Sequence, residues 1–262
     1  MRRNLLKQAF ERGDSVLNGW LHIPSSISAE VMAHAGFDSL TVDMQHGLSH
    51  FESAVPMFQA ISTTDSVPLA RVPWNEPGII MKLLDAGCYG VICPMINDAD
   101  EAAAFVGACR YPPHGYRSYG PTRAALYAGA DYAANANEEV LTFAMIETEA
   151  GLENLEEIVQ VPGLDAVYVG PADLSQSLGG KPGADFEEGP VVEALERIVK
   201  VAREHGVVAG LHNNSTQYAK KMIEMGYQFV TVETDIRLLS GAAKRITAEV
   251  KGVEQETTQA PY

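Results

Sequence analysis

The amino-acid sequence predicts a single-domain α/β protein, a (β/α)₈ TIM barrel with an extended loop after its fourth helix. Three observations carry that reading. Eight short apolar runs alternate with eight helical stretches along the chain. The runs are apolar throughout rather than at every second residue, as in parallel strands covered on both faces. No Gly-x-Gly-x-x-Gly follows the first run, and no lysine-bearing phosphate loop occurs anywhere, which disfavours the runner-up, a doubly wound open sheet. The length of 262 residues suits one such barrel. The barrel is assigned to residues 1–251, and residues 252–262 to a polar, loosely held tail.

Each element follows from local pattern. A short amphipathic helix over 4–12 precedes the first strand, 15–23, which carries Trp20. A helix over 28–35 ends at Gly36, where glycine tolerates the left-handed turn that closes helices. The run DSLTVD gives the second strand, 38–43, before Gln45-His46-Gly47 and a helix over 51–62. The third strand, 67–71, leads to a helix over 76–86 closed by Gly87, and the fourth, 90–94, to an Ala-rich helix over 98–110. Asn97 or Asp98 suits the cap of the latter. Residues 111–139 break the rhythm: they are rich in Tyr, Gly and Pro and carry Arg117 and Arg123. A long insertion in a regular architecture is more often functional than a spacer. Strand and helix then return as 141–146 with 152–159, 166–169 with a Gly-rich loop to 182 and a helix over 191–205, 207–211 with 217–225, and 228–232 with 236–250.

Composition narrows the function. Hydrophobic residues make up 46% and charged residues 20% of the chain, so a globular core forms. A formal net charge of −15 argues against nucleic acid or an anionic membrane as partner. Cys88, Cys93 and Cys109 lack metal-type spacing and sit in or beside apolar runs, as buried reduced thiols do. The start, MRRNLLKQAFERGD, has no signal-peptide core, and no run is long enough to span a bilayer. The expected location is cytoplasmic.

In such barrels chemistry sits at the carboxyl ends of the strands. The polar residues there are Asp43 and His46, Arg71, Glu147, Asp173, His212 and Glu233. Glu147 and Asp173, one β-α unit apart, offer hard oxygen ligands suited to Mg²⁺ or Mn²⁺; the alternative is that each caps the helix that follows. Arg71 is either an ion-pair partner across the rim or a fork donor to a substrate oxygen. His46 is either a plain loop residue or a general base with a pKa near working pH. Asp85, in LLDAG, is either a salt-bridge residue or the acceptor that orients His46. In GPADLS, the amides after Pro171 form a nest for a small carboxylate. No lysine ends a strand as a Schiff-base mechanism would require.

The runs VDMQHG, ARVPWNEPGIIMKLLDAG, CPMINDADEA, RYPPHGYRS, IETEAGLENL and VYVGPADLS together resemble the metal-dependent class II 2-oxo-acid aldolases of the 4-hydroxy-2-oxoheptanedioate and 2-keto-3-deoxy-sugar-acid type. The resemblance covers roughly residues 15–250. It implies a carbon–carbon lyase that reversibly splits a 4-hydroxy-2-oxo acid into pyruvate, or an analogue such as hydroxypyruvate, and an aldehyde. It implies Mg²⁺, Mn²⁺ or Co²⁺ held by Glu147 and Asp173, and no organic cofactor. It implies Arg71 at the developing enolate oxygen, His46 with Asp85 in acid–base steps, the amides of Ala172 and Asp173 on the substrate carboxylate, and Trp20 lining the aldehyde pocket. It also implies a hexamer, a trimer of dimers, often with the last helix exchanged. Many relatives have Asp-x-Glu-His where this chain has Asp43-Met44-Gln45-His46, so the network around His46 is expected to be tuned differently. The alternatives are an acyl-CoA lyase of the same superfamily, which would need a basic patch for CoA phosphates, and a non-catalytic barrel.

Overall fold

The computed structural model describes residues 1–252; the expected tail lies, from residue 253 on, outside them. A helix α1 (Leu5–Glu11) precedes β1 (Val16–Leu21) and α2 (Ser26–Ala33). Then come β2 (Ser39–Asp43) with α3 (Phe51–Ile61), β3 (Val67–Arg71) with α4 (Pro77–Asp85), and β4 (Gly90–Cys93) with α5 (Ala99–Cys109). Two short helices, α6 (Thr122–Ala128) and α7 (Tyr132–Glu139), precede β5 (Leu141–Ile146) with α8 (Glu149–Glu153) and α9 (Leu155–Val159). The remainder is β6 (Ala166–Val169) with α10 (Pro171–Ser177) and α11 (Pro190–Glu204), β7 (Val208–Asn213) with α12 (Thr216–Met225), and β8 (Phe229–Thr234) with α13 (Asp235–Lys251).

The eight strands pair in sequence order, all parallel, and β8 closes on β1. β2 to β6 are buried at every position, as their apolar runs require. The interior is filled by Trp20, Phe143, Tyr168 and Phe229 and by a satisfied polar cluster. Asn18 accepts from Ser39 at 2.9 Å and Thr41 at 3.0 Å, and donates to Thr231 at 3.0 Å.

Because all strands point one way, their carboxyl ends share one rim. Each helix runs back, so helix ends and helix-to-strand connections lie at the opposite rim. Asp85 and the insertion, both singled out in the sequence, fall at that rim of this chain. Asp85 is the last residue of α4, which puts it at the amino-terminal rim, away from His46. There it accepts from Arg117 Nη2 at 2.7 Å. The insertion 111–139 connects α5 to β5, so it too sits at the amino-terminal rim. It is not one loop but folds into α6 and α7, and it seals the barrel bottom with the N-terminal segment. Arg123 donates to Ala86 O at 2.8 Å and Ser62 Oγ at 2.9 Å, and the Met1 amino group pairs with Asp131 at 2.7 Å. Asn4, fully buried, donates to Glu139 O at 2.7 Å and Tyr89 O at 3.1 Å.

Arg117 is the keystone of this seal: its side chain is buried, donates to Asp85 and Tyr132, and stacks over the Tyr111 ring. Arg117→Met is expected to lower unfolding stability by about 2 kcal/mol, from lost charge-assisted bonds offset by retained bulk; urea denaturation followed by circular dichroism checks it.

Candidate active site

The carboxyl-terminal rim is organised around Asp43, the last residue of β2, which has no exposed surface. Arg71, the last residue of the neighbouring β3, grips it bidentately, Nε to Oδ1 at 2.9 Å and Nη2 to Oδ2 at 2.6 Å. His22 Nε2 lies 2.9 Å from Oδ2, and Trp20 Nε1 donates to it at 3.2 Å. The amides of Gln45, His46 and Gly47 complete the shell at 3.0, 3.3 and 3.1 Å. A side chain at Gly47 would overlap the Asp43 carbonyl, so glycine permits this tight wrap. Burial opposes ionisation of Asp43, but the Arg71 guanidinium and the bonds from His22 and Arg71 hold it well below the usual carboxylate range. Arg71 is likewise desolvated, yet Asp43 keeps it firmly charged. With Nε and Nη2 spent on Asp43, Nη1 remains for a ligand in the cavity that Arg71 lines.

Across the rim stands Glu147, directly after β5 and 2% exposed. It is not a helix cap: Thr148 caps α8 by accepting from the Gly151 amide at 3.0 Å. Instead Glu147 Oε1 accepts from the Met95 amide at 2.8 Å. Met95 reaches that position through a left-handed backbone, φ 57°, a strained conformation of the kind found at ligand sites. Burial pushes the Glu147 carboxyl up to about 7, countered in part by the Met95 amide and Arg71, with the nearby Asp173 charge adding to the rise. Asp173 is half-buried in the first turn of α10. Among the described residues no third His, Cys, Asp or Glu joins these two to complete a cage. Two carboxylates close enough for the Asp173 charge to act on Glu147, with open positions around them, fit Mg²⁺ or Mn²⁺, which retain water or substrate oxygens in their shells. The same turn of α10 begins at Gly170 with no side-chain cap, and Pro171 has no amide. The first-turn amides of Ala172 and Asp173 therefore have no intrahelical acceptor.

His46 sits in the exposed loop after β2, tethered by its amide to Asp43. Burial, then the Arg71 charge, pull its pKa below the ordinary value, against the pull of Asp43 and Asp173. At neutral pH it is therefore an uncharged imidazole, able to accept a proton. The charges that act on it are those of Arg71, Asp43, Asp173 and His22; Asp85 is engaged elsewhere. Gln45 buries an Oε1 that takes no donor within the described residues.

The cavity between these groups is lined by Trp20, His22, Arg71, Tyr168, Ala172 and His212 among others. Trp20 is only 1% exposed, stacked under the Arg71 guanidinium at 4.9 Å and on Tyr168 at 5.7 Å. It lines the cavity and braces the arginine there. Sequence pattern alone gives His212 a weak claim, misses His22 and Tyr168, and marks Asp43 only as a strand-end polar residue. Asp43 and His22 both follow buried apolar runs, and that is the signal available for them.

The sequence profile described as HpcH/HpaI aldolase/citrate lyase matches residues 18–242. The chain belongs to this family. It is 39% identical to a hydroxypyruvate/pyruvate aldolase from Rhizorhabdus wittichii, over 95% of this chain and all of that protein. It is 38% identical to a 4-hydroxy-2-oxo-heptane-1,7-dioate aldolase from Escherichia coli, over 94% of each. The crystal structure of a HpcH/HpaI aldolase/citrate lyase family protein from Burkholderia cenocepacia superposes with a TM-score of 0.88 at 33% identity, covering 95% of this chain and 99% of that one. Membership makes the chain a lyase of the aldolase class.

Glu147 reaches its position because Gly170 has no side chain: a methyl group there would overlap Oε2. Gly170→Ala is accordingly expected to weaken Mn²⁺ binding at least about tenfold by displacing that oxygen, with little change in melting temperature. Titration calorimetry with Mn²⁺ and thermal denaturation check the two halves.

Proposed function

We propose that this chain is a divalent-metal-dependent aldolase that reversibly cleaves a 4-hydroxy-2-oxo acid to pyruvate, or an analogue such as hydroxypyruvate, and an aldehyde. One observation carries the reading: a buried guanidinium with an unspent edge stands within electrostatic reach of Glu147 and of an uncharged His46, and the Asp173 charge acts on both. Arg71 Nη1 binds the C2 oxygen of the substrate, and the amides of Ala172 and Asp173 hold its carboxylate. His46 takes the proton of the C4 hydroxyl. The C3–C4 electron pair becomes the C2–C3 double bond, the aldehyde departs, and negative charge gathers on the C2 oxygen beside Arg71. A preorganised charged donor there lowers the barrier without reorganisation. Protonation of C3, with release of the proton from His46, then gives the 2-oxo acid. In condensation His46 returns the proton to the newly formed alkoxide. Glu147 and Asp173 would hold Mg²⁺, Mn²⁺ or Co²⁺, which when bound supplies Lewis-acid polarisation of the keto group. The reading calls for no organic cofactor and no Schiff base; no lysine lines the cavity.

The rival acyl-CoA lyase loses its only basic cluster. Arg117 and Arg123 lie at the opposite rim and are spent on Asp85, Tyr132, Ala86 and Ser62. A silent barrel would have no use for a buried glutamate beside a half-buried aspartate with open positions around them.

The proposal extends to a homo-oligomer, a hexamer with exchange of the last helix. In support, none of residues 236–251 in α13 is buried, and Leu239, Ile246 and Val250 are 63%, 57% and 83% exposed. Beside β1 and β8 an apolar groove is lined by Val16, Leu17, Ile223, Val230, Val232 and Leu238. A helix with so little of its own chain to cover it suits a neighbour's groove. Among the described residues no helix is long and apolar enough to cross a membrane; a cytoplasmic setting with small-molecule partners is part of the proposal.

Pyruvate release from 4-hydroxy-2-oxo acids, coupled to lactate dehydrogenase, tests the reading. EDTA should abolish it and Mn²⁺ restore it, and Arg71→Ala should lose about 10²-fold or more in kcat. Covalent trapping by borohydride in the presence of substrate would contradict the mechanism. Cation affinity should also follow the Glu147 proton. Below its pKa of about 7, the Mn²⁺ dissociation constant should rise about tenfold per pH unit, because a proton must leave for the cation to enter. Above that pH it should level off.

A further inference from the structure

The loop between β4 and α5 takes no part in the steps above, yet the amide that Glu147 accepts comes from it, at Met95. Met95 holds a left-handed backbone there, φ 57°. A residue with a Cβ is disfavoured in that region, so its surroundings must hold it in place. Asn97, on the same loop, supplies the contacts. Its Nδ2 donates to Met95 O at 2.9 Å and to Glu101 Oε2 at 3.2 Å. Its Oδ1 accepts from the Thr148 hydroxyl at 2.6 Å. Its amide donates to Glu101 Oε2 at 2.8 Å, and its carbonyl accepts from Asn154 Nδ2 at 2.9 Å. Each polar group of Asn97 is therefore engaged, on the backbone and on the side chain.

We propose that Asn97 is a positioning residue for Glu147. It clamps the Met95 peptide to the residue that follows Glu147, and so sets where the Glu147 carboxylate stands and how tightly a divalent cation binds. The consequence for the cation rests on the reading of Glu147 and Asp173 as its ligands.

The clamp works because one carboxamide touches both halves of the Met95–Glu147 contact. Met95 carries the donor, and Thr148 is joined directly to the acceptor. Met95 O needs a donor. The Thr148 hydroxyl already accepts from the Gly151 amide at 3.0 Å, so its single proton needs an acceptor. A carboxamide meets both demands, and a carboxylate meets only the second. The junction is braced from outside. The Ile96 amide donates to Met145 O in β5 at 3.3 Å. Asn75, in the loop after β3 and Arg71, donates to Glu101 O at 3.0 Å. The arginine side and the carboxylate side of the rim are thus joined behind the cavity. Partners that hold a ligating carboxylate from behind commonly change metal affinity by about 10- to 100-fold when removed.

The test measures Mn²⁺ affinity by titration calorimetry, well below the melting temperature of each variant. Asn97→Ala should raise the Mn²⁺ dissociation constant about tenfold or more. Asn97→Asp, which keeps the acceptor for Thr148 and loses the donor to Met95, should raise it as well. The decisive variant is Met95→Gly in the Asn97→Ala background. Glycine takes the left-handed conformation as readily as the right-handed one, so it should recover part of the lost affinity. Affinity should follow the residue at position 95 and not the melting temperature, which a merely structural role for Asn97 would not produce. An unchanged dissociation constant in Asn97→Ala would overturn the proposal, as would a loss that Met95→Gly leaves untouched. If the native enzyme binds no Mn²⁺, the cation reading fails, and hydrogen exchange decides the clamp. The Met95 amide should be protected in the native enzyme and lose that protection in Asn97→Ala; equal exchange in the two would sink the clamp itself.

Discussion

The buried pair of Asp43 and Arg71 is the interaction on which the rest of the site depends. A carboxylate with no exposed surface is tolerable only when its lone pairs are all met. In this barrel they are met by Arg71, His22, Trp20 and three successive amides. That single requirement ties β1, β2, β3 and the loop bearing His46 into one unit. It sets the plane of the guanidinium, and therefore the direction of the edge that remains. Trp20 stacks beneath the same guanidinium, so Arg71 is held in two dimensions by hydrogen bonds and in the third by a ring.

The rim divides by charge. On one side the positive group is neutralised in advance and loses little by waiting for substrate. On the other, burial raises Glu147, eased only in part by the Met95 amide and Arg71, and the Asp173 charge adds to the rise. A strained Met95 backbone and a glycine at 170 hold Glu147 in that unfavourable state. The barrel scaffold bears the strain because its strands are buried at nearly every position and its bottom is sealed by residues from the N-terminus and the 111–139 insertion.

Much of this is legible in the sequence. The bounds of β3, β5 and β6 coincide with their apolar runs, because a strand covered on both faces has no polar position to blur its ends. Glu147, Asp173 and Arg71 are legible for the same reason, as polar residues that terminate such runs. What the sequence hides has physical causes. GPADLS reads as a turn from its Gly and Pro, yet proline at the first helical position starts α10 instead. The two helices of the insertion are masked by a composition of Tyr, Gly and Pro that usually marks loops. Asp85 and the His46 of the same chain lie apart, because a helix end and a strand end face opposite rims of a barrel; that topological rule separates them without coordinates. His22 is absorbed into an overlong first strand, and its pairing with Asp43 is a contact that only the closed sheet creates.

If the buried pair governs the site, Asp43 serves turnover by fixing Arg71. A double-mutant cycle tests this most directly: kcat for Asp43→Asn, Arg71→Lys and the double variant, each confirmed folded by circular dichroism. If the two residues act as one unit, the double variant is no slower than the slower single variant, because the second change removes nothing the first had left intact. If the losses multiply instead, the two residues contribute independently, and Asp43 does not act through Arg71.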